Sequence, residues 1–395
     1  MAEERGESRL GQLAITAGLL SLAGFINFRM AVPSLLAALG GSAFLLGAVF
    51  SSVAAVRAAA RILGGVVRDS KGDRLVLTLS AALRALSFLS LMLATKVHQV
   101  LLGASLFAAA QGLESTALLS ATAVRAANAG MVGVLFGLVL TLRMLPGTFS
   151  PLLTGLLADT YGLRAVFGAG LLLSLPALAV GAILGEEHGV EKRADYACVG
   201  ARFTRGYLLL AATFLLFVSV SSFVLLLTYW LVSRGMGLAA IGTILFARSL
   251  LAAFSRVYSG YLADRLGDVE VLALVGAVRA LTLTLVPHAE GLLPLAVLVV
   301  AHGSLMAAPS RNALIYRAFG NFDYGKAFGI VGLSQDLGGV VGPLLAGMLA
   351  ESVGYEAVFY FMALTLVLYT GLVITLRGVL ANAQGDKQYS GGERH

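Results

Sequence analysis

The sequence predicts an all-α polytopic membrane protein: twelve transmembrane helices in two pseudo-symmetric six-helix bundles, each bundle made of two inverted three-helix repeats. Three observations carry this. The 395 residues are 58% hydrophobic and only 12% charged, about half the charged share of an ordinary soluble domain, with a mean hydropathy of +0.89. That much apolar surface does not fit inside one aqueous core. Apolar runs long enough to cross roughly 30 Å of hydrocarbon occur twelve times. A glycine–acid–glycine spacing recurs four times, always between the second and third run of a group of three, which marks an internal repeat.

The runs fall near 11–36, 43–66, 75–95, 99–122, 131–157 and 163–184, then 206–231, 239–262, 271–287, 291–312, 326–349 and 356–376. The start, MAEERGESRL, is polar and of mixed charge with no cleavage site after it, so the first apolar run is expected to stay as a span. Residues 185–204, GEEHGVEKRADYACVGARFT, form the longest polar segment. They are expected to be a cytoplasmic linker between an N-terminal bundle over 1–184 and a C-terminal bundle with a short polar tail over 205–395.

Basic residues set the orientation. With both termini cytoplasmic, sixteen lysines and arginines lie inside and three (Lys96, Arg164 and Arg234) outside, a clear positive-inside bias. The net charge of +7 is thereby accounted for by topology rather than by a nucleic-acid partner. Tyr229 and Trp230, at the outer end of the seventh run, read as an interfacial aromatic anchor. Cys198 is the sole cysteine and the five histidines are dispersed, so no disulfide, metal centre or other cofactor is expected.

The repeated corner is G-x-x-x-D-x-x-G. It stands at Gly65, Asp69 and Gly72, at Gly155, Asp159 and Gly162, and at Gly260, Asp264 and Gly267. A fourth copy, at Gly347, Glu351 and Gly354, has glutamate for aspartate. Copies one and three are expected inside, two and four outside, as inverted repeats nested in parallel halves require. Glycine permits a tight turn and close helix approach. Aspartate at such a corner can accept hydrogen bonds from the free N–H groups of a neighbouring helix N-terminus, or pair with arginine. Arg61 and Arg256, and Arg84 and Arg279, keep the same offsets from the first glycine in the two halves.

On these residues the whole chain resembles the Major Facilitator Superfamily of transporters. The family's loop between spans 2 and 3 reads approximately G-x-x-x-D-R/K-x-G-R/K-R/K. Gly65, Asp69, Gly72 and Arg74 match it, while Ser70 and Asp73 depart. Gly260, Asp264, Arg265 and Gly267 match the fainter second copy, with Asp268 and Val269 in place of the trailing bases. The resemblance implies that these eight residues form a conformational latch, with Asp69 and Arg74 holding the cytoplasmic side shut. It also implies that spans 1, 4, 7 and 10 line a central cavity, with spans 2, 5, 8 and 11 beside them.

Nine arginines but only two acids, Glu114 and Asp336, lie in the spans, where charge is costly and functional by default. The arginines mirrored between halves, and Arg311 near the inner boundary, read as scaffold. The unmirrored residues are better suited to substrate or ion work, because a substrate is rarely symmetric. The pathway candidates are Asn27, Arg29, Arg57, Gln111, Glu114, Arg143, Arg248 and Asp336. Glu114 is expected to pair with Arg143, and Asp336 with Arg248 or Arg29. His302 reads as packed or water-bonded.

The excess of arginine over acid suits an organic or amphipathic anion. The function expected is secondary active transport of a small solute across the cytoplasmic membrane, proton-coupled, by rocker-switch alternating access, in a monomer that meets only substrate, protons and lipid. Drug antiporters of the family usually carry an arginine three residues before a Gln-Gly pair. Gln111-Gly112 is present, but Ala108 stands at that place, and the antiporter's glycine–proline motif is fuller in span 11 (Gly338, Gly342, Pro343, Gly347) than in span 5. A divergent drug or metabolite exporter, an uncoupled facilitator and a transport-dead membrane sensor are the competing readings. No catalytic constellation gathers near one interface, and no nucleotide-binding loop appears, so no enzyme is expected.

Overall fold

The computed structural model describes residues 12, 14–129, 132–183, 203–319 and 324–390, and among these there is helix and short connection but no strand. The linker expected over 185–204 lies outside the described residues except for Phe203 and Thr204. In chain order the helices are α1 (14–22), α2 (Phe28–Ala38), α3 (Ala43–Met92), α4 (Val97–Ala129), α5 (Val132–Tyr161), α6 (Leu163–Ser174), α7 (Val180–Ile183), α8 (Phe203–Ser233), α9 (Leu238–Leu266), α10 (Asp268–Leu285), α11 (Leu292–His302), α12 (Ala308–Phe319), α13 (Tyr324–Ser352) and α14 (Tyr355–Ser390). Seven helical stretches among the described residues are long and apolar enough to span a membrane. Leucines, isoleucines and valines stay exposed along them (Ile62, Leu281 and Val367 among others), the surface expected of helices solvated by lipid.

The chain divides into two compact units. The first is Met1–Asp195 with Val224–Phe246, and the second is Tyr196–Phe223 with Ala247–His395. The boundary passes through α8 and α9, so the ends of these helices nearest their connecting turn belong to the first unit.

Small residues let the first unit pack closely. Gly112 of α4 sits against α3 so tightly that an added Cβ would lie 2.6 Å from the Arg57 carbonyl oxygen, and at Gly103 it would lie 2.7 Å from Leu91. Ala17, Ala60, Ala81, Ala117 and Ala177 join Leu20, Leu77, Leu113 and Leu118 in one buried core. In the second unit Gly276 of α10 meets the Tyr369 ring of α14, with 2.8 Å left for a Cβ. Gly338 and Gly342 of α13 lie on the backbone of α8 around Phe214 and Val218. The span 11 glycine–proline motif is thus a helix-packing surface.

All four corner repeats share one device. Gly72, Gly162, Gly267 and Gly354, the last glycine of each copy, have φ of 81°, 82°, 105° and 116°, a backbone region nearly closed to residues with a Cβ. At Gly72 this breaks the 50-residue α3 into the two apolar runs read at 43–66 and 75–95. Gly162 and Gly267 are the N-caps of α6 and α10. Asp268, standing where the family prefers a base, opens the first turn of α10 together with Glu270, where a negative charge suits the helix dipole.

Two runs expected to be continuous helices are interrupted. Residues 23–27 separate α1 from α2 through a 3-10 turn at Ala23–Phe25, and residues 303–307 separate α11 from α12. Backbone groups freed inside a membrane need partners, and both breaks supply them. Asn27 caps α2, its Oδ1 accepting from Met30 N–H at 3.1 Å, while its own N–H donates to Thr154 Oγ1 at 2.8 Å. At the second break the Met306 N–H donates to Ser259 Oγ at 3.1 Å, and Arg279 Nη2 donates to the Leu305 carbonyl at 3.2 Å.

Tyr229 and Trp230 differ from expectation. Both are buried in the first unit, at 9% and 4% exposure, rather than facing a lipid interface. The Tyr229 hydroxyl donates to the Gly41 carbonyl, and the Arg234 guanidinium covers the Trp230 ring at 4.0 Å. A run of apolar residues does not reveal which face another helix will cover.

Candidate functional site: intramembrane arginines and the repeated corners

In the first unit the buried polar centre is a triad. Glu114, on α4, is 3% exposed. One of its oxygens lies 3.2 Å from Nη2 of Arg143 on α5, and the other pairs with Arg84 of α3. The pairing of Glu114 with Arg143 was legible in the sequence. Arg84, read there as scaffold, is the second partner, and its Nη1 also donates to the Leu20 carbonyl at 2.6 Å. Two guanidiniums from different helices thus converge on one carboxylate, and a buried charge needs such pairing.

Arg57 is half-buried and its Nη1 reaches Gln111 Oε1 at 3.4 Å. Arg29 is exposed on α2 and has no ion pair or hydrogen bond among the described residues. Asn27, another pathway candidate, is occupied as the cap of α2.

In the second unit Arg248 of α9 covers the Phe223 ring at 5.6 Å, and His302 stacks on the same ring at 4.1 Å. His302 is buried, with Nδ1 3.2 Å from Thr282 Oγ1. Gly303, at the break, lies against the Arg248 backbone and side chain. Arg279 is 5% exposed and makes no ion pair among the described residues; Nη2 contacts the Leu305 carbonyl and the Met306 sulfur. Arg311 sits over Phe217 at 5.4 Å, and Gln335, with its amide oxygen turned towards it, accepts from Nη1 at 2.7 Å. Asp336 is buried on α13. Arg84 and Arg279, the mirrored pair, therefore each hold a main-chain carbonyl, but among the described residues only Arg84 also holds a carboxylate.

The first two corners have different surroundings. At the first copy Arg68 Nε bonds Asp73 Oδ1 at 2.9 Å, and its Nη1 lies 3.5 Å from Asp69. Asp73, which replaces a base of the family pattern, is thus engaged by Arg68. Asp69 is 68% exposed, and an added Cβ on Gly65 would meet nothing nearer than 3.8 Å. Arg74 is exposed. At the second copy Asp159 accepts from two backbone donors, Leu238 N–H at 2.9 Å on Oδ1 and Ala239 N–H at 2.8 Å on Oδ2. Asp159 was read from the sequence as the acid of the second repeat copy but not as a latch or pathway candidate, although it occupies the same place in the repeat as Asp69. At the third copy Gly260 has open space around it, and Arg265 stacks on Tyr261 at 4.7 Å, one residue from Asp264.

Comparison with known proteins gives a consistent kinship. A family profile described as Major Facilitator Superfamily matches residues 209–388. A multidrug resistance protein MdtG from Citrobacter koseri is 30% identical over 333 residues, covering 79% of this chain and 80% of that protein. Another, from Enterobacter lignolyticus, is 29% identical over 355 residues, covering 85% and 84%. Among solved structures, a mutant of nucleoside transporter NupG superposes with a TM-score of 0.78 at 14% identity, covering 93% of this chain and 99% of that one. A bacterial homologue of the human lysosomal transporter Spinster gives 0.67 at 13% identity, covering 95% and 96%. These two likenesses concern the fold.

Proposed function

Because this chain belongs to the Major Facilitator Superfamily, and is a membrane transporter rather than an enzyme, we propose that it is a secondary active transporter for a small organic or amphipathic anion. In this reading twelve spans form two six-helix bundles, both termini and the linker are cytoplasmic, and a monomer works by rocker-switch alternating access in the cytoplasmic membrane. Arg29 carries the choice of substrate class. Glu114, the one acid in the first six spans, is already engaged by Arg84 and Arg143, and Arg29 has no carboxylate among the described residues. A guanidinium with no carboxylate partner in a membrane interior favours a bound anion, and it offers paired donors matched to carboxylate or phosphate.

Coupling to protons is part of the proposal, with Glu114 and Asp336 as the groups that would carry them. A second reading, export of drugs or metabolites, is favoured by relatives named multidrug resistance proteins, although Ala108 departs from the drug-antiporter pattern. The test is reconstitution into liposomes with a panel of organic anions and neutral analogues, recording solute flux and internal pH. Anion flux driven by an imposed pH gradient, and lost in Arg29→Gln and Arg57→Gln, is the expected result. Flux of neutral or cationic compounds that these variants leave intact would move the choice to the second reading. Coupled flux unchanged in Glu114→Gln and Asp336→Asn would remove those acids from the proton path.

A further inference from the structure

We propose that Asp159 is a releasable latch on the outer side of the transporter, the counterpart of the latch expected of Asp69 on the inner side; this rests on the alternating-access reading above. The first N–H groups of a helix have no intrahelical acceptor, and the residue before α9 is Gly237, which has no side chain to cap them. Asp159, 79 positions away from Leu238, supplies the cap by setting one carboxylate oxygen on each of two successive N–H groups. A negative charge at a helix N-terminus also gains from the helix dipole.

The contact continues along the two helices. A Cβ on Gly155 would overlap the Leu238 carbonyl oxygen and lie 3.0 Å from the Ala239 Cα, and one on Gly242 would lie 3.2 Å from the Gly155 Cα. Backbone meets backbone with no side chain between, and Phe149 and Phe246 pack below at 5.5 Å. Tyr229, bonded to the Gly41 carbonyl, adds a second tie from the same end of α8. Here the first glycine and the aspartate of the repeat serve one helix-to-helix contact, whereas at the first copy Asp69 pairs only with its neighbour Arg68 among the described residues.

Exposure separates a latch from a permanent strut. Asp159, Leu238 and Ala239 are exposed or half-buried, so on opening water can replace each hydrogen bond. In the Glu114 triad the Arg84 and Glu114 side chains are buried, and that pair cannot part without stranding charge. A solvated contact of this kind biases an equilibrium modestly, which suits a gate that must open in every cycle.

The experiment places spin labels at Arg164→Cys and Ser233→Cys, both exposed, on a Cys198→Ser background in lipid nanodiscs, and records the distance distribution. Asp159→Asn removes one acceptor. Leu238→Pro removes one donor at the first helical position, where proline is tolerated. Each is expected to raise the ratio of long- to short-distance population about fivefold to tenfold, and the double variant to raise it no further than the stronger single one. A distribution identical to that of the parent in both variants, or effects that multiply in the double variant, overturns the latch. The readout requires no transported solute, so a wrong substrate class leaves it interpretable.

Discussion

Replacing Glu114 by Gln is expected to destabilise the folded protein by about 3–5 kcal/mol, because it strands a buried arginine. The size follows from the geometry. The Arg84 and Glu114 side chains are 8% and 4% exposed, so neither charge can turn to water when its partner goes. Arg84 retains the Leu20 carbonyl, which satisfies one donor but not the charge. Arg143 is 23% exposed, and its loss of partner is screened to about 1 kcal/mol. Two further variants test the argument. Arg143→Gln should cost about 1 kcal/mol, while Arg84→Met with Glu114→Leu, which removes the inner pair altogether, should recover most of the loss, since apolar replacement of a buried pair is often neutral. The assay is detergent unfolding followed by the fluorescence of Trp230, the sole tryptophan, which is buried in the same unit as the triad. If Glu114→Gln unfolds within 1 kcal/mol of the parent, or if the double variant loses the sum of its two single changes, the triad is not the buried charge centre described here.

The same unfolding measurement reads three other predictions. Gly162→Ala, at a φ of 82°, should cost about 1–3 kcal/mol from backbone strain, whereas Gly147→Ala in α5, with open space around it, should be neutral or stabilise by up to about 1 kcal/mol. Gly112→Ala should lose about 1–3 kcal/mol, because its Cβ would meet the Arg57 carbonyl, which can move only with its helix. Asn27→Ala should cost about 1 kcal/mol through the lost cap of α2, with Asn27→Ser retaining most of it.

What the sequence determined by itself was the content of short segments. Apolar length places helices in a membrane, because an unpaired backbone group is costly there. The four glycine–acid–glycine copies marked the corners, and the left-handed φ of Gly72, Gly162, Gly267 and Gly354 shows why glycine stands last in each. Both are properties of a few consecutive residues. The pairing of Glu114 with Arg143 was also within reach, since an intramembrane carboxylate needs a cation and Arg143 lies on the next span. Other features depended on residues distant in sequence. Helical propensity does not report that α1 and α11 stop where Asn27, Ser259 and Arg279 can take up the freed backbone groups. Nor does apolar patterning tell a lipid-facing Tyr229 from one bonded to Gly41, 188 positions away. Asp69 and Asp159 have the same local motif, yet among the described residues Asp159 meets the start of another helix while Asp69 pairs with its neighbour Arg68. A repeat specifies the shape of a corner, while its partner is set by which helices the tertiary fold brings to that end.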